Sequence, residues 1–283
     1  MWILYVLFYG LMKGGRDVIK KIALSKNTFI EILIAHTAIS LLLVVPTAGD
    51  ALQMDYKFFG YIALKSLFVF SAWIFSFNAL KKLPVSVVGI LDLSRVLFAT
   101  LLGVTVLGEV MRSGQYIGLT LVCLGLILLK FISNPNDSVK HEDIRTVYVI
   151  MALASCVLNA MSGLMDKILM SQISSSQLQF WYMLFMFIYY IIFALVTRAK
   201  ISLSVFKNIW IYVMSIMFVL ADKALFVANA SPDSKVTVMT LIKQSCCLVT
   251  ILGGKLVFKE KNIIRKMLCA CVIIAGIMIS ILM

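Results

Sequence analysis

Apolar residues fill the chain in long runs that are separated by short polar gaps. An α-helix needs about 20 apolar residues to cross a bilayer. Ten such runs cover residues 2–22, 28–46, 58–80, 84–108, 113–133, 145–170, 177–197, 207–230, 234–258 and 263–283. The runs lack the alternation of polar and apolar residues that marks barrel strands. Within hydrocarbon, an α-helix satisfies its backbone N–H and C=O groups internally. The pattern therefore predicts an all-α integral membrane protein with ten transmembrane helices.

The second half of the chain repeats the first half at an offset of 151 residues. Residues 75–125 align with 226–276 without a gap, and 12 of the 51 positions are identical, against roughly 8% expected by chance. Five helices per half is an odd number, so the second copy enters the membrane from the opposite side. The sequence thus predicts two inverted five-helix repeats, at 1–133 and 145–283, joined by a linker at 134–144.

Composition agrees with a membrane location, since 62% of the residues are hydrophobic and the mean hydropathy is +1.02. The net charge of +13 does not indicate nucleic-acid binding, because the basic residues lie mainly in the gaps between apolar runs. Most of them fall in the odd-numbered gaps, which the positive-inside rule places in the cytoplasm. We therefore expect a multi-pass protein of the plasma or inner membrane with both termini outside.

The apolar runs nevertheless contain many ionisable side chains, each costing about 2.5–3.5 kcal/mol at mid-membrane. Such residues need a partner, a cavity or a function. They are Lys13, Arg16, Asp17, Glu31, His36, Lys65, Asp92, Arg95, Asp166, Lys167, Asp222, Lys223 and Lys243. Without the histidine, seven are basic and five acidic, so the predicted interior carries an excess of positive charge.

Asp92 and Lys243 occupy the same position of the two repeats, so the sequence predicts that they lie close enough to interact. The pair could lock the halves together or could open during transport. Arg95 lies one turn after Asp92 on the same helix face, while its counterpart in the second repeat is Cys246. Arg95 is therefore either neutralised by Asp92 or free to bind a carboxylate or phosphate.

Other candidates for a substrate site come from the remaining helices. Asp222–Lys223 and Asp166–Lys167 are adjacent pairs whose side chains point about 100° apart, so one member of each is expected to face the interior. Lys13, Arg16 and Lys65 either extend toward the membrane boundary or contribute to binding. Polar and aromatic candidates for the lining are Tyr9, Trp73, Phe77, Asn159 and Gln244. Packing within the helix bundle is the alternative for each of them.

Residues 78–87, the Gly108-Glu109 step and the glycines at 118 and 125 resemble the EamA-type domain of the drug/metabolite transporter superfamily. The resemblance covers both halves, although Lys259 and Cys269 replace two of the glycines in the second half. It implies a transporter and leaves the substrate open. Family members usually have cytoplasmic termini and an uncharged fourth helix, and this chain departs from both habits.

The sequence thus predicts a secondary transporter that moves a small anionic or zwitterionic metabolite by alternating access, with a possible coupling proton or cation. Export of cationic or amphipathic compounds and flipping of a lipid-linked sugar are alternatives, as is a scaffold without transport. No nucleophile and base, phosphate loop or metal-ligand spacing occurs in the sequence. We therefore expect neither an enzyme nor a cofactor.

Overall fold

A computed structural model describes residues 2–107, 113–132, 139–231, 242–244, 246–260 and 262–282. Its α-helices are α1 (Trp2–Leu24), α2 (Phe29–Val44), α3 (Ala48–Ala51), α4 (Phe59–Lys82), α5 (Val85–Asp92), α6 (Arg95–Leu107), α7 (Ser113–Ile132), α8 (Val139–Met170), α9 (Ser175–Val196), α10 (Ile209–Asn229), α11 (Cys246–Phe258) and α12 (Ile263–Leu282). Short 3₁₀ segments occupy Val45–Thr47, Tyr56–Phe58 and Leu203–Lys207. The predicted all-helical class is confirmed for the described chain.

Five stretches of the described chain are long and apolar enough to cross a bilayer. They are Phe29–Ala51, Tyr56–Lys82, Thr146–Met170, Ser175–Val196 and Ile209–Asn229. Helix α1 has the necessary length, but its second half carries five charged residues, so it is not among these apolar stretches. The total of ten spans remains a prediction.

The packing of the helices follows the sequence repeat. Helix α1 packs against α10, and the equivalent helix of the second half, α8, packs against α4 in the same way. Helices α2 and α9, α5 and α11, and α7 and α12 each contact their own counterpart. These contacts are the ones that a two-fold axis relating the two halves would produce.

The predicted fourth and ninth helices are both interrupted, whereas the sequence predicts them to be continuous. Helix α5 ends at Asp92, a turn occupies Leu93 and Ser94, and α6 follows. In the second half residues 242–243 are helical, a turn lies at Gln244, and α11 begins at Cys246. The two interruptions coincide at the offset of 151 residues, and in the first half the N–H groups of Leu93 and Ser94 donate to the carbonyl oxygens of Ile90 and Leu91.

Helix α8 begins at Val139, six residues before the predicted start of the sixth helix at residue 145. The added segment is polar but contains Glu142 and Asp143, which are favourable near a helix N-terminus. The polar composition of this segment predicted a linker, whereas its second part is a helical extension of α8. The rest of that linker lies outside the described residues.

Close contact between α7 and α12 depends on two glycines that are equivalent in the repeats. A Cβ atom added to Gly125 would lie 2.3 Å from Ile273 Cγ1. A Cβ atom at Gly276 would lie 2.7 Å from Leu121 Cβ and 2.8 Å from the carbonyl oxygen of Gly118. Small residues at such contacts let helix backbones approach within a membrane.

We expect the change Gly276→Ala to lower the stability of the protein by about 1–3 kcal/mol, because α7 and α12 must separate to accept the methyl group. Gly60→Ala is the matched control, since nothing lies within 4 Å of its added Cβ and alanine favours a helix. Thermal unfolding of the two purified variants beside the wild type measures the effect. Equal melting temperatures for Gly276→Ala and the wild type would contradict this account of the interface.

Candidate functional site

A cavity of about 340 Å³ lies between the two halves of the molecule, lined by side chains from α1, α4, α5, α6, α8, α9 and α10 and by Lys243 and Gln244. Eight of the ten predicted site residues border it: Tyr9, Trp73, Asp92, Arg95, Asn159, Asp222, Lys243 and Gln244. The described lining also includes Lys13, Arg16, Asp17, Lys20, Lys65 and Asp166. Six of its side chains are therefore basic and four acidic.

Asp92 binds two basic side chains on the α5 side of this cavity. Its carboxylate accepts hydrogen bonds from Lys13 Nζ and, at 2.8 Å, from Arg95 Nη2. Lys13 also contacts Cys246 Sγ at 3.5 Å, so it joins the interrupted region of the first half to that of the second.

The expected direct pair between Asp92 and Lys243 does not form in the described structure. Helix α1 contacts both α5 and α11, and it places Lys13 against the Asp92 carboxylate. Of the two possibilities for Arg95, neutralisation by Asp92 is the one observed. Lys243 borders the same cavity but has no ion-pair partner among the described side chains.

Lys65 and Asp166 form a second ion pair, with 3.0 Å between Nζ and Oδ1. The Lys65 side chain is 2% exposed, so it does not extend to the membrane boundary. Its ammonium lies 3.6 Å from the centroid of the Tyr182 ring, which adds a cation–π contact. The pair links α4 to α8, two helices that pack against each other.

Lys20 is a cavity residue that was not among the intramembrane charges predicted from the sequence. It donates to Asp17 Oδ1 at 2.7 Å and lies 5.9 Å and 5.5 Å from the ring centroids of Trp73 and Phe77. The missed signal is the spacing of the polar residues at 13, 16, 17 and 20, which places all four on one face of α1.

Phe77 and Lys223 are the predicted site residues that do not border the cavity. Phe77 is fully buried in the apolar core, and Lys223 donates to Ser176 Oγ at 2.8 Å on α9. Two of the predicted intramembrane charges also have local partners. His36 Nδ1 lies 2.8 Å from Ser215 Oγ, and Glu31 completes a capping box at the start of α2.

Glu260 ties the two halves together at one end of the cavity. Its Oε1 accepts from the Val85 N–H at 2.8 Å, and its Oε2 accepts from the Ser86 hydroxyl and, at 2.9 Å, from Lys266 Nζ. The carboxylate lies 3.0 Å from the position that a Cβ of Gly254 would occupy. Glu260 therefore caps α5 of the other half. Its counterpart Glu109 lies outside the described residues.

The electrostatics of Glu260 follow from these contacts. Burial favours a higher pKa, but the hydrogen bonds from Ser86 and Lys266 outweigh it and hold the pKa of Glu260 below its ordinary value. The carboxylate is thus ionised at neutral pH and stabilises the native state there.

A polar cavity between two packed helical halves, enclosed by long apolar helices, defines the class of a multi-pass membrane transporter. The model of the EamA-like transporter family matches residues 1–131 and 146–282. The chain therefore belongs to the EamA-like transporter family, whose members are transporters and not enzymes. The resemblance identified from sequence is confirmed.

Comparison with solved structures supports the fold. A crystal structure described only as "Crystal structure of protein" superposes with a TM-score of 0.64 over 97% of this chain and 96% of its own, at 14% sequence identity. At that identity the similarity shows the fold alone. No curated protein matches the chain at a significant level.

We expect Asp166→Leu alone to destabilise the protein by about 3–5 kcal/mol, because it leaves the Lys65 ammonium buried without its counter-charge. The double change Lys65→Met with Asp166→Leu should recover much of that loss. A double-mutant cycle of unfolding free energies measures the coupling, with the exposed pair Lys57–Asp55 as a control that should couple by less than about 1 kcal/mol. Additive effects at Lys65 and Asp166 would show that the contact contributes nothing.

We expect Glu260→Gln to lower stability at pH 7 by about 1–2 kcal/mol, because charged hydrogen bonds to Val85, Ser86 and Lys266 are lost. The folded-state pKa of Glu260 is depressed, so its stabilisation is present above the unfolded pKa of about 4.5 and disappears as pH falls through the folded value. Melting temperatures of wild type and variant should therefore converge below about pH 4.5. A constant difference down to pH 3 would disprove the ionised cap.

Proposed function

We propose that this transporter moves a small anionic or zwitterionic metabolite across the cell membrane by alternating access. The observation that carries the proposal is the excess of basic over acidic side chains around a buried cavity. An excess of buried charge is costly unless a ligand of opposite sign compensates it. A volume of about 340 Å³ falls at the small end of ligand pockets.

The arrangement of the halves supports a mechanism with two access states. Ten spans in two inverted five-helix repeats would place equivalent contacts on opposite sides of the membrane. The interchangeable packing of α1 on α10 and of α8 on α4 agrees with that arrangement. The interruptions that coincide at the offset of 151 residues lie beside Asp92, Arg95 and Gln244, which line the cavity, and interrupted helices form the substrate sites of many secondary transporters.

Asp222 is the candidate carrier of a coupling proton or cation. It borders the cavity, and among the described side chains it has no ion-pair partner, unlike Asp17, Asp92 and Asp166. A carboxylate in this position can bind a proton or a cation when the substrate site is empty. The same residue could serve export of a cationic compound, which makes the sign of the substrate the decisive measurement.

Counterflow into proteoliposomes tests the sign of the substrate. Vesicles that contain the purified protein are loaded separately with glutamate, glucose 6-phosphate, alanine, lysine or choline, and uptake of the matching labelled solute is followed. We expect uptake of an anion or zwitterion above that of protein-free vesicles. Lys243→Ala should reduce it about tenfold or more, because a charge-assisted contact contributes about 1.5–3 kcal/mol.

The exposed residue Lys207 provides the matched control, and Lys207→Ala should leave the uptake unchanged. Uptake of lysine or choline alone, abolished by Asp222→Asn but not by Lys243→Ala, would overturn the proposal in favour of a cation exporter. Lipid-linked sugar flipping predicts no uptake of any of these water-soluble solutes.

A further inference from the structure

The charged residues of the cavity divide into those that neutralise one another and those that do not. Lys13 and Arg95 hold Asp92, Lys20 holds Asp17, and Lys65 holds Asp166. Within the described part of the chain, the cavity's remaining charged groups are Arg16, Lys243 and Asp222. These three are therefore the charged groups that a ligand can contact while the existing ion pairs stay intact.

Arg16 is the most constrained of the three. It is 6% exposed, and among the described residues neither Nε nor Nη1 of its guanidinium has a hydrogen-bond partner. Two buried N–H groups of a cation without acceptors are an expensive arrangement, because burial removes the water that would otherwise satisfy them. In a cavity that admits a solute, the missing acceptor is expected to come with the solute.

The surroundings of Arg16 fix how an acceptor can approach. The guanidinium carbon lies 4.6 Å from the centroid of the Phe218 ring, so one face of the planar group is covered. Phe218 in turn packs against Trp73, with 5.1 Å between ring centroids. Hydrogen bonds to a guanidinium are made in its plane, where Nη1 and Nη2 share one edge and the partnerless Nε lies on another. The edge of Nη1 and Nη2 matches the paired oxygens of a carboxylate or phosphate.

Arg95 does not offer the same site, although it was the arginine favoured from sequence. Its Nε is also without a hydrogen-bond partner among the described residues, but its Nη2 donates to Asp92, whose carboxylate also holds Lys13. Asp222 borders the same cavity as Arg16, but these two described side chains do not form an ion pair. Arg16 is thus the arginine of the cavity that remains open to an incoming anion.

We propose that Arg16 is the specificity-determining residue of the cavity and binds the oxyanion of the substrate, a carboxylate or a phosphate, through the edge of its guanidinium. This inference rests on the proposed function and assigns the anion to one side chain. Lys243 provides a second positive charge at the same cavity, but its ammonium lacks the two parallel N–H donors of a guanidinium. The substrate class is accordingly a small organic acid or phosphate ester, and a compound with only a cationic group is excluded.

The test compares Arg16→Lys with the wild type in the binding of two simple probes, benzoate and phenyl phosphate. Lysine keeps the positive charge but cannot offer two parallel N–H donors. Binding is measured as thermal stabilisation over a concentration series at constant ionic strength, with benzyl alcohol and benzylamine as neutral and cationic analogues. Arg198→Lys, at an exposed position, is the matched control.

We expect at least one oxyanion probe to stabilise the wild type and Arg198→Lys equally, and benzyl alcohol to stabilise neither. Arg16→Lys should weaken that binding about ten- to a hundredfold, which corresponds to the loss of one charge-assisted hydrogen bond. A response to benzoate alone identifies a carboxylate site, and a response to phenyl phosphate alone identifies a phosphate site. The unliganded melting temperature of Arg16→Lys shows whether the variant has folded, and Arg16→Gln replaces it if it has not.

Wild-type affinity for the oxyanion in Arg16→Lys and Arg16→Gln would overturn this assignment and leave anion transport intact. Absence of stabilisation of the wild type by either oxyanion would also overturn it. Stabilisation of the wild type by benzylamine alone would overturn both the assignment and the proposed anionic substrate. The three results are distinct, so failure of the residue assignment can be told from failure of the function.

Discussion

The high cost of burying an unpaired charge in a membrane is the constraint on which this structure depends. The cavity holds ten ionisable side chains of opposite signs, and seven of them are joined in three groups, around Asp92, Asp17 and Asp166. Each group except that of Asp17 links two or more helices. The same pairs that make the charges tolerable therefore also position α1, α4, α5 and α8 around the cavity.

The duplication determines how the helices are arranged, and residues that differ between the two copies determine the charges of the cavity. Gly125 and Gly276 serve the same close contact between α7 and α12, and the helices are interrupted at equivalent positions. Asp92 and Lys243, in contrast, have opposite charges at one repeat position. Two identical carboxylates near the axis would repel each other, so the change of sign permits charge at this position in both halves.

The sequence was sufficient to predict the helical class and the family, and eight of the ten site residues predicted from it border the cavity. It could not give the partners of those residues. The offset of 151 residues related Asp92 to Lys243, but whether the two meet depends on α1, which contacts both α5 and α11 and places Lys13 against Asp92. Depth was equally hard to infer: Lys20 follows three polar residues near a helix end, and only the packing of Trp73 and Phe77 beside it shows that it is internal.

The two ends of the cavity illustrate how a duplicated protein can favour one access state. At one end Glu260 receives hydrogen bonds from Val85 and Ser86 of the first half, while Leu80, Val85 and Val18 form an apolar cluster beside it. Separating the halves there requires breaking charged hydrogen bonds and exposing apolar surface together. In the proposed alternating access, inversion of the repeat would place an equivalent closure at the opposite end, so opening of one end and closing of the other would be alternatives of similar energy. A solute that compensates the positive charge between them can then shift that balance only as far as it binds the two states differently.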